Sequence, residues 1–322
     1  MTRQAETGVN ESARIVILMA VYNGAAHLAD QLESFAVQSD PNWDLIASDD
    51  GSKDESPDIL ARAAERWKHG SSPHQVTVLT GPRQGLVRNF FHLIANLPEG
   101  TALAALSDQD DVWFPEKLAR ARAALATLPE AQPALYCARS MICDANLRAH
   151  RVSRLFRRPP SFRNALVQSV GGGNTMVLNR AAIEIVRVAV TEAREAAVHD
   201  WWLYQIVTAC GGKILRDTDP VLHYRQHGRN AIGANTSARG RIHRMLFIMG
   251  RRFSAWNDVN LRALAASRHR FTPEAAEVLD HYAEARRGPL WKRLKALWAS
   301  GVYRQSRSGT FALFLACLIG RL

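Results

Sequence analysis

The chain predicts an α/β fold built on a mostly parallel, doubly wound sheet, with a basic helical appendage at the C-terminal end. Three observations carry this. Apolar runs rich in β-branched residues alternate with helical patterns from residue 15 to residue 128. The connections between them are a few residues long, as in strand-helix-strand units with parallel neighbours. Charge is also unevenly placed: residues 1–236 hold 25 Lys and Arg against 25 Asp and Glu, whereas residues 237–322 hold 16 against 5.

Residues 15–21, IVILMAV, form a continuous apolar run that suits a strand buried on both faces. Tyr22-Asn23-Gly24 turns the chain into a helix bearing Leu28, Leu32, Phe35 and Ala36, which Asp40-Pro41 closes. Trp43 to Ser48 is a second strand, followed by Asp49-Asp50-Gly51-Ser52-Lys53-Asp54. Gly51 permits a tight turn there, and Ser52 or Asp54 is placed to cap a helix over 57–67. A strand over 75–79, a helix over 87–95, a strand over 103–106 and a helix over 115–128 complete the regular part.

Beyond that the pattern loosens. Ala134 to Ile142 reads as a strand. Residues 148–163 hold six arginines and Pro159-Pro160 and read as a mobile basic loop. Gly171-Gly172-Gly173 permits close backbone approach to a ligand or serves as a flexible connection. It leads into a short strand over 176–178 and a helix over 181–190. His199-Asp200-Trp201-Trp202 opens a helix to about Ala209, and short strands follow over 214–215 and 221–224. From Arg239 onward the chain reads as basic helices. One face carries Met245, Leu246, Ile248 and Met249; another carries Trp291, Leu294, Leu297 and Trp298 with Lys292, Arg293 and Lys295 between. The second suits an interfacial membrane contact or packing on its own domain.

The composition, 47% hydrophobic and 22% charged over 322 residues, is that of a globular protein. The division expected is a neutral domain over 1–236 and a basic region over 237–322. The four cysteines form no CxxC pair and no zinc spacing, so free thiols in a reducing compartment are expected. Residues 1–11 are polar, without the apolar stretch of a signal peptide. No run reaches the roughly 18 apolar residues of a membrane span. A cytoplasmic protein is expected, peripheral on the inner face of the cytoplasmic membrane. The basic C-terminal excess suits an anionic membrane surface or a nucleic acid, but no nucleic-acid-binding signature accompanies it, so no nucleic acid partner is expected.

Clustered acids stand at two strand ends. In Ser107-Asp108-Gln109-Asp110-Asp111-Val112-Trp113 three carboxylates crowd a strand terminus, where mutual repulsion and desolvation are relieved by a hard divalent cation with oxygen ligands. An acidic turn before a helix is the plainer reading. In doubly wound sheets ligands bind outside the carboxyl ends of strands, where Asp49-Asp50 and Asp108 to Asp111 both lie. Neither GxGxxG nor GxxxxGK[ST] occurs, which removes the dinucleotide and P-loop readings.

Four motifs in this order resemble the family 2 nucleotide-sugar glycosyltransferases, inverting enzymes of the Rossmann-like GT-A fold. They are Val21-Tyr22-Asn23-Gly24, Asp49-Asp50-Gly51-Ser52-Lys53-Asp54, Asp108-Gln109-Asp110-Asp111 with Val112-Trp113, and His199-Asp200-Trp201-Trp202. The resemblance covers about residues 1–232. Ala20 departs from it, standing where many members have proline. SDQDDVWxPEKL, HDWWLY and YRQHGxNxxG narrow the resemblance to bacterial rhamnosyltransferases of cell-surface polysaccharide assembly.

The resemblance implies Mg²⁺ or Mn²⁺ and a nucleotide-sugar donor, dTDP-L-rhamnose. It implies a glycan or lipid-linked acceptor and a set of residue roles. Asp50 would accept the pyrimidine imide N–H, which thymine and uracil share. Val21, Tyr22, Asn23, Gln109, Arg83 and Arg88 would line the nucleotide-sugar site. Asp110 would ligate the metal, and Asp108 would hold ribose or metal-bound water. Arg225 and His227 would contact diphosphate, His227 also the metal. Asp200 would be the general base that deprotonates the acceptor hydroxyl, with His199 orienting the site. Asp111 is left as a ligand contact or a helix cap. The competing readings are a UDP-hexose-dependent enzyme of the same fold, a non-catalytic nucleotide-binding module and a processive synthase. The last is disfavoured by the lack of a QxxRW motif and of flanking membrane helices.

Overall fold

A computed structural model of the chain describes residues 13–69, 74–226 and 250–322. Its centre is a nine-stranded sheet. The strands are β1 (Ile15–Val21), β2 (Trp43–Asp49), β3 (Val76–Thr80), β4 (Leu103–Ser107), β5 (Val112–Trp113), β6 (Ala134–Cys143), β7 (Ala149–Val152), β8 (Val177–Asn179) and β9 (Lys213–Arg225). Their order is β3-β2-β1-β4-β8-β6-β9-β5, with β7 paired to β6. The first four strands are parallel, as the alternating pattern predicts. The second half is mixed: β8 runs antiparallel to β4 and β6, β6 is parallel to β9, and β5 is antiparallel to β9.

Helices flank both faces: α1 (Ala25–Ala36), α2 (Ser56–Lys68), α3 (Leu86–Ala95), α4 (Lys117–Leu125), α5 (Phe162–Ala165), α6 (Arg180–Glu192) and α7 (His199–Ala209). The continuous apolar run of β1 explains the two layers. Its side chains alternate, so Val16, Leu18 and Ala20 enter one core while Ile15, Ile17, Met19 and Val21 enter the other. The second core lies under α1, α2 and α4, through Phe35, Trp67 and Leu118. The first lies under α3, α6 and α7, through Phe91, Val186 and Trp202. Fully burying a side chain such as Leu32 or Phe91 stabilises by about 1.5–3 kcal/mol before entropy is counted.

The C-terminal residues form α8 (Arg251–Ala266), α9 (Pro273–Glu284), α10 (Leu290–Ser300) and α11 (Arg307–Leu318). Phe253, Leu264, Tyr282, Leu297 and Leu313 join the same apolar cluster as Trp202 and Phe91. The face over Met245, Leu246, Ile248 and Met249 lies outside the described residues.

Two local expectations change. Residues 149–152 of the expected basic loop are strand β7, paired antiparallel to β6 and secured where Ser153 N–H donates to Ser140 O at 2.8 Å. The two short strands expected over 214–224 are one strand, β9. Register shifts of β6 against β9, between Cys137 and Arg139 and between Arg139 and Met141, absorb the irregular segment around Pro220.

Candidate active site

The carboxyl ends of β1, β2 and β4 open into a cavity of about 1300 Å³. This is where the chain order reverses, β1 lying between β2 and β4, and such a reversal opens a crevice above the sheet. Asp49 and Asp50, Asp108 and Asp110, and Asp200 all line it, so the acids of three separate motifs share one space.

At one end the strand termini are tied together by side chains. Asn23 N–H donates to Ser52 Oγ and Lys53 N–H to Asn23 Oδ1, both at 2.8 Å. Gly24 N–H donates to Ser56 Oγ at 2.8 Å, and Ala25 N–H to Asp54 Oδ2 at 3.0 Å. Asp54 also accepts from Ser56 N–H at 3.1 Å, so one carboxylate holds the start of both α1 and α2. Asp50 is buried and accepts from the backbone N–H groups of Arg83 at 2.6 Å and Gly85 at 2.8 Å. Arg83 sits at φ +58° in that loop and lines the cavity. Each Asp50 oxygen keeps a lone pair for a further donor.

Gln109 clamps the acidic loop onto β1. Tyr22 N–H donates to Gln109 Oε1 at 2.8 Å, and Gln109 Nε2 donates to Tyr22 O at 3.1 Å. Gly24 lies close beneath it: a Cβ there would fall 2.4 Å from Gln109 Oε1, so the clamp would have to shift. Val21 and Tyr22 line the cavity, Tyr22 with an exposed ring. The Asn23 N–H and Oδ1 are occupied within the turn.

Burial, with repulsion from Asp111, Asp110 and Asp200, pushes the Asp108 carboxyl well above the usual range, against the attraction of Lys117. Burial and the neighbouring Asp110 push Asp111 up to about 7, against the Asn174 amide and Lys117. Asp111 is fully buried and accepts from Asn174 Nδ2 at 2.5 Å. It does not cap α4, whose N-cap is Glu116. Lys117 is the cation that composition and spacing did not reveal. Its ammonium is buried, donates to Asn174 O at 2.5 Å and lies 3.0 Å from the Trp113 ring centroid. Burial lowers its pKa well below the usual value, while Asp111 and Asp108 oppose that. Its position at the start of α4, a few residues after the acids, was the available signal.

Among the described residues no group of three or more His, Cys, Asp or Glu forms a ready-made metal cluster. Asp108 and Asp110 supply oxygen donors only, beside excess negative charge. That set fits a hard divalent cation taking its remaining ligands from diphosphate and water, the usual arrangement for Mg²⁺.

Asp200 stands at the first turn of α7. Its Oδ2 accepts from Gly173 N–H at 3.1 Å. Burial pushes its pKa up to about 6, against the backbone N–H groups of Gly173 and Trp201. Gly173 has no room for a side chain: a Cβ would lie 2.5 Å from His199 Nε2 and 3.2 Å from Asp200 Cβ. His199 is buried and stacks on Phe90 with centroids 3.9 Å apart. Burial lowers its pKa to about 3, and neither ring nitrogen has a hydrogen-bond partner among the described residues.

Other expected contacts go elsewhere. Arg88 lies outside the cavity lining and donates to Arg194 O at 2.8 Å. Buried Arg225 donates to Asp110 O at 3.0 Å, to Ala145 O at 2.6 Å and to Asp30 Oδ2 at 2.8 Å, bracing the acidic loop against α1 and β9. His227 lies outside the described residues. The far wall, which the motifs did not indicate, comes from Arg154 and Phe156, from Arg216 on β9, and from Phe253, Trp256 and Arg304 of the C-terminal region.

Fold and site together define a glycosyltransferase enzyme of GT-A architecture. The family model described as Glycosyl transferase family 2 matches residues 16–185, more than half of the sequence, and the chain belongs to that family. It is 27% identical over 247 residues to dTDP-rhamnosyl transferase RfbG of Shigella flexneri, covering 70% of this chain and 78% of that protein. It is 28% identical over 110 residues to a protein described as putative glycosyltransferase EpsE of Bacillus subtilis, covering 34% of this chain and 37% of that one. Among solved structures, S. aureus TarS 1-349 in complex with UDP-GlcNAc aligns with a TM-score of 0.50 at 12% identity, over 90% of this chain and 93% of that one.

Proposed function

We propose that this protein is an inverting, divalent-metal-dependent glycosyltransferase. It moves one sugar, L-rhamnose from dTDP-L-rhamnose, to a saccharide or lipid-linked glycan in surface-polysaccharide synthesis. The observation that carries the reaction class is the shared cavity of Asp50, Asp108, Asp110 and Asp200. Similarity to a protein named as a dTDP-rhamnosyl transferase supports the donor.

Asp50, backed by the 83–85 loop, receives the thymine imide N–H. Asp110 would ligate a Mg²⁺ or Mn²⁺ and Asp108 would hold ribose or metal-bound water; the cation would supply neutralisation of the charge on the departing diphosphate. Asp200 takes the acceptor hydroxyl proton as that oxygen bonds to the anomeric carbon. The bond from that carbon to the diphosphate oxygen breaks, and its electron pair leaves with dTDP. The α7 N-terminus and Gly173 N–H keep the carboxylate aimed, and its pKa of about 6 leaves it ionised yet more basic than a solvated aspartate at neutral pH. Residues 1–236 carry the catalytic machinery, and residues 237–322 supply Phe253, Trp256 and Arg304 to the acceptor side.

The test is a donor panel of dTDP-rhamnose, UDP-hexoses and GDP-mannose, scored for binding by calorimetry and for transfer, with and without Mn²⁺. Metal-dependent binding and turnover of dTDP-rhamnose, both lost in Asp110→Ala, are expected. A preference for UDP-hexoses overturns the donor assignment, and equal metal-dependent binding by Asp110→Ala overturns the metal assignment.

A further inference from the structure

Helices α10 and α11 present an aromatic, basic face that sugar transfer does not use. On α10, Trp291, Lys295 and Trp298 recur at i, i+4 and i+7 and share one stripe. On α11, Arg307, Phe311, Phe314 and Leu318 share another. Trp298 and Phe314 meet with ring centroids 6.4 Å apart, which joins the stripes into one patch. Trp298 is 79% exposed, Trp291 64% and Phe311 61%. The opposite sides of these helices, with Ala296, Leu297, Ala312 and Leu313, are already buried in the core. The helices are therefore apolar on an outer side as well as an inner one, and a contiguous exposed apolar patch marks a contact surface.

Charge identifies what covers it. Residues 285–322 carry eight Lys and Arg and no Asp or Glu. Lys295 lies within the α10 stripe and Lys292 borders it, with Lys292 Nζ 5.3 Å from the Trp291 ring. A second copy of the same face would bring like charges together, which disfavours self-association. A layer that is anionic outside and apolar just beneath satisfies both the lysines and the tryptophans. No helix among the described residues is long and apolar enough to cross a membrane, so the contact lies in the plane of the surface.

We propose that the α10–α11 face docks on an anionic lipid bilayer, with Trp291, Trp298 and Phe311 seated at the headgroup boundary. The loop between these helices also touches the cavity rim. Arg158 Nη1 donates to Arg304 O at 2.9 Å, its guanidinium lies 4.1 Å from the Tyr303 ring, and Arg304 lines the cavity. Docking therefore brings the cavity wall at Arg304 toward the surface. The inference does not depend on the identity of the donor.

Co-sedimentation of the full chain with phosphatidylglycerol/phosphatidylcholine vesicles, against phosphatidylcholine alone, tests this, read together with tryptophan emission. Binding to the anionic vesicles alone, with a blue shift, is expected. Trp291→Ser/Trp298→Ser/Phe311→Ser and Lys292→Glu/Lys295→Glu should each lower the partition coefficient more than about tenfold, with melting temperature and donor binding retained. Wild-type protein that stays in the supernatant, or variants that bind as well as wild type, overturn the proposal. So does a dimer in size-exclusion chromatography that the aromatic variant abolishes without any vesicle binding by the wild type.

Discussion

Gly173 donates its backbone N–H to Asp200 Oδ2 at 3.1 Å and leaves no space for a side chain between that carboxylate and the His199 ring. The third glycine of the triplet thus sets the position of the proposed base. Gly173→Ala should lower kcat by roughly a hundredfold through displacement of Asp200, with KM for the donor changed little. It should also destabilise the fold by about 1–3 kcal/mol through the forced shift of His199. Steady-state kinetics and urea melts on the same preparation measure both.

Asp200 links activity and stability in opposite senses. Its folded pKa, about 6, is raised above the ordinary 3.8 by burial. The fold is therefore favoured below pH 3.8 and progressively loses that advantage as pH rises through 6. Asp200→Asn removes the buried charge. At pH 7.5 it should stabilise the protein by up to about 3 kcal/mol, and near pH 4 by almost nothing. The same substitution should lower kcat by roughly 10²–10⁴. Wild-type kcat should climb with pH to a plateau above about 6, a profile that Asp200→Asn should lack.

Gln109 should behave as a positioning residue. Gln109→Ala removes the clamp from the Tyr22 N–H and C=O, which water can then reach, at a cost of about 0.5–1.5 kcal/mol. Its kinetic effect should appear mainly as weaker donor binding, because the acidic loop is no longer held to β1. Calorimetry with nucleotide alone separates this from an effect on the chemical step.

Lys117 is the buried counter-charge to Asp108 and Asp111. Lys117→Met keeps the stem against Trp113 but leaves the buried Asn174 carbonyl without its donor and removes the charge facing the acids, so a loss of about 1–3 kcal/mol is expected in thermal melts at pH 7.5. Arg122→Ala, which breaks the buried pair with Asp40 at 2.6 Å, provides a comparison remote from the cavity.

Much of this was legible in the sequence where one physical rule dominated. The run 15–21 announced a strand buried on both faces, and the acids at 49–50 and 108–111 fell at strand ends, where parallel sheets bind ligands. The second half of the sheet was harder to read. β5 is two residues long and lies inside the acidic motif, β7 lies within an arginine-rich segment that lacks alternation, and β9 contains Pro220. Their pairing is fixed by neighbours rather than by local pattern. Within the site, motif position indicated which residues gather at the cavity but not what their side chains touch. Gln109, Asn23 and Arg225 hold the backbone in place, whereas Asp50, Asp108, Asp110 and Asp200 face the space between them. The aromatic and arginine wall from Phe156, Trp256 and Arg304 depends on contacts between segments about 50 to 150 residues apart, which periodicity does not report.

The anomeric configuration of the product tests the central claim most directly. Proton NMR of the glycoside formed from dTDP-L-rhamnose in the presence of Mn²⁺ should show a single added sugar with configuration opposite to that of the donor, and no product with Asp200→Asn. Retention of configuration, or undiminished product from Asp200→Asn, would contradict the assignment of Asp200 as the base for in-line displacement.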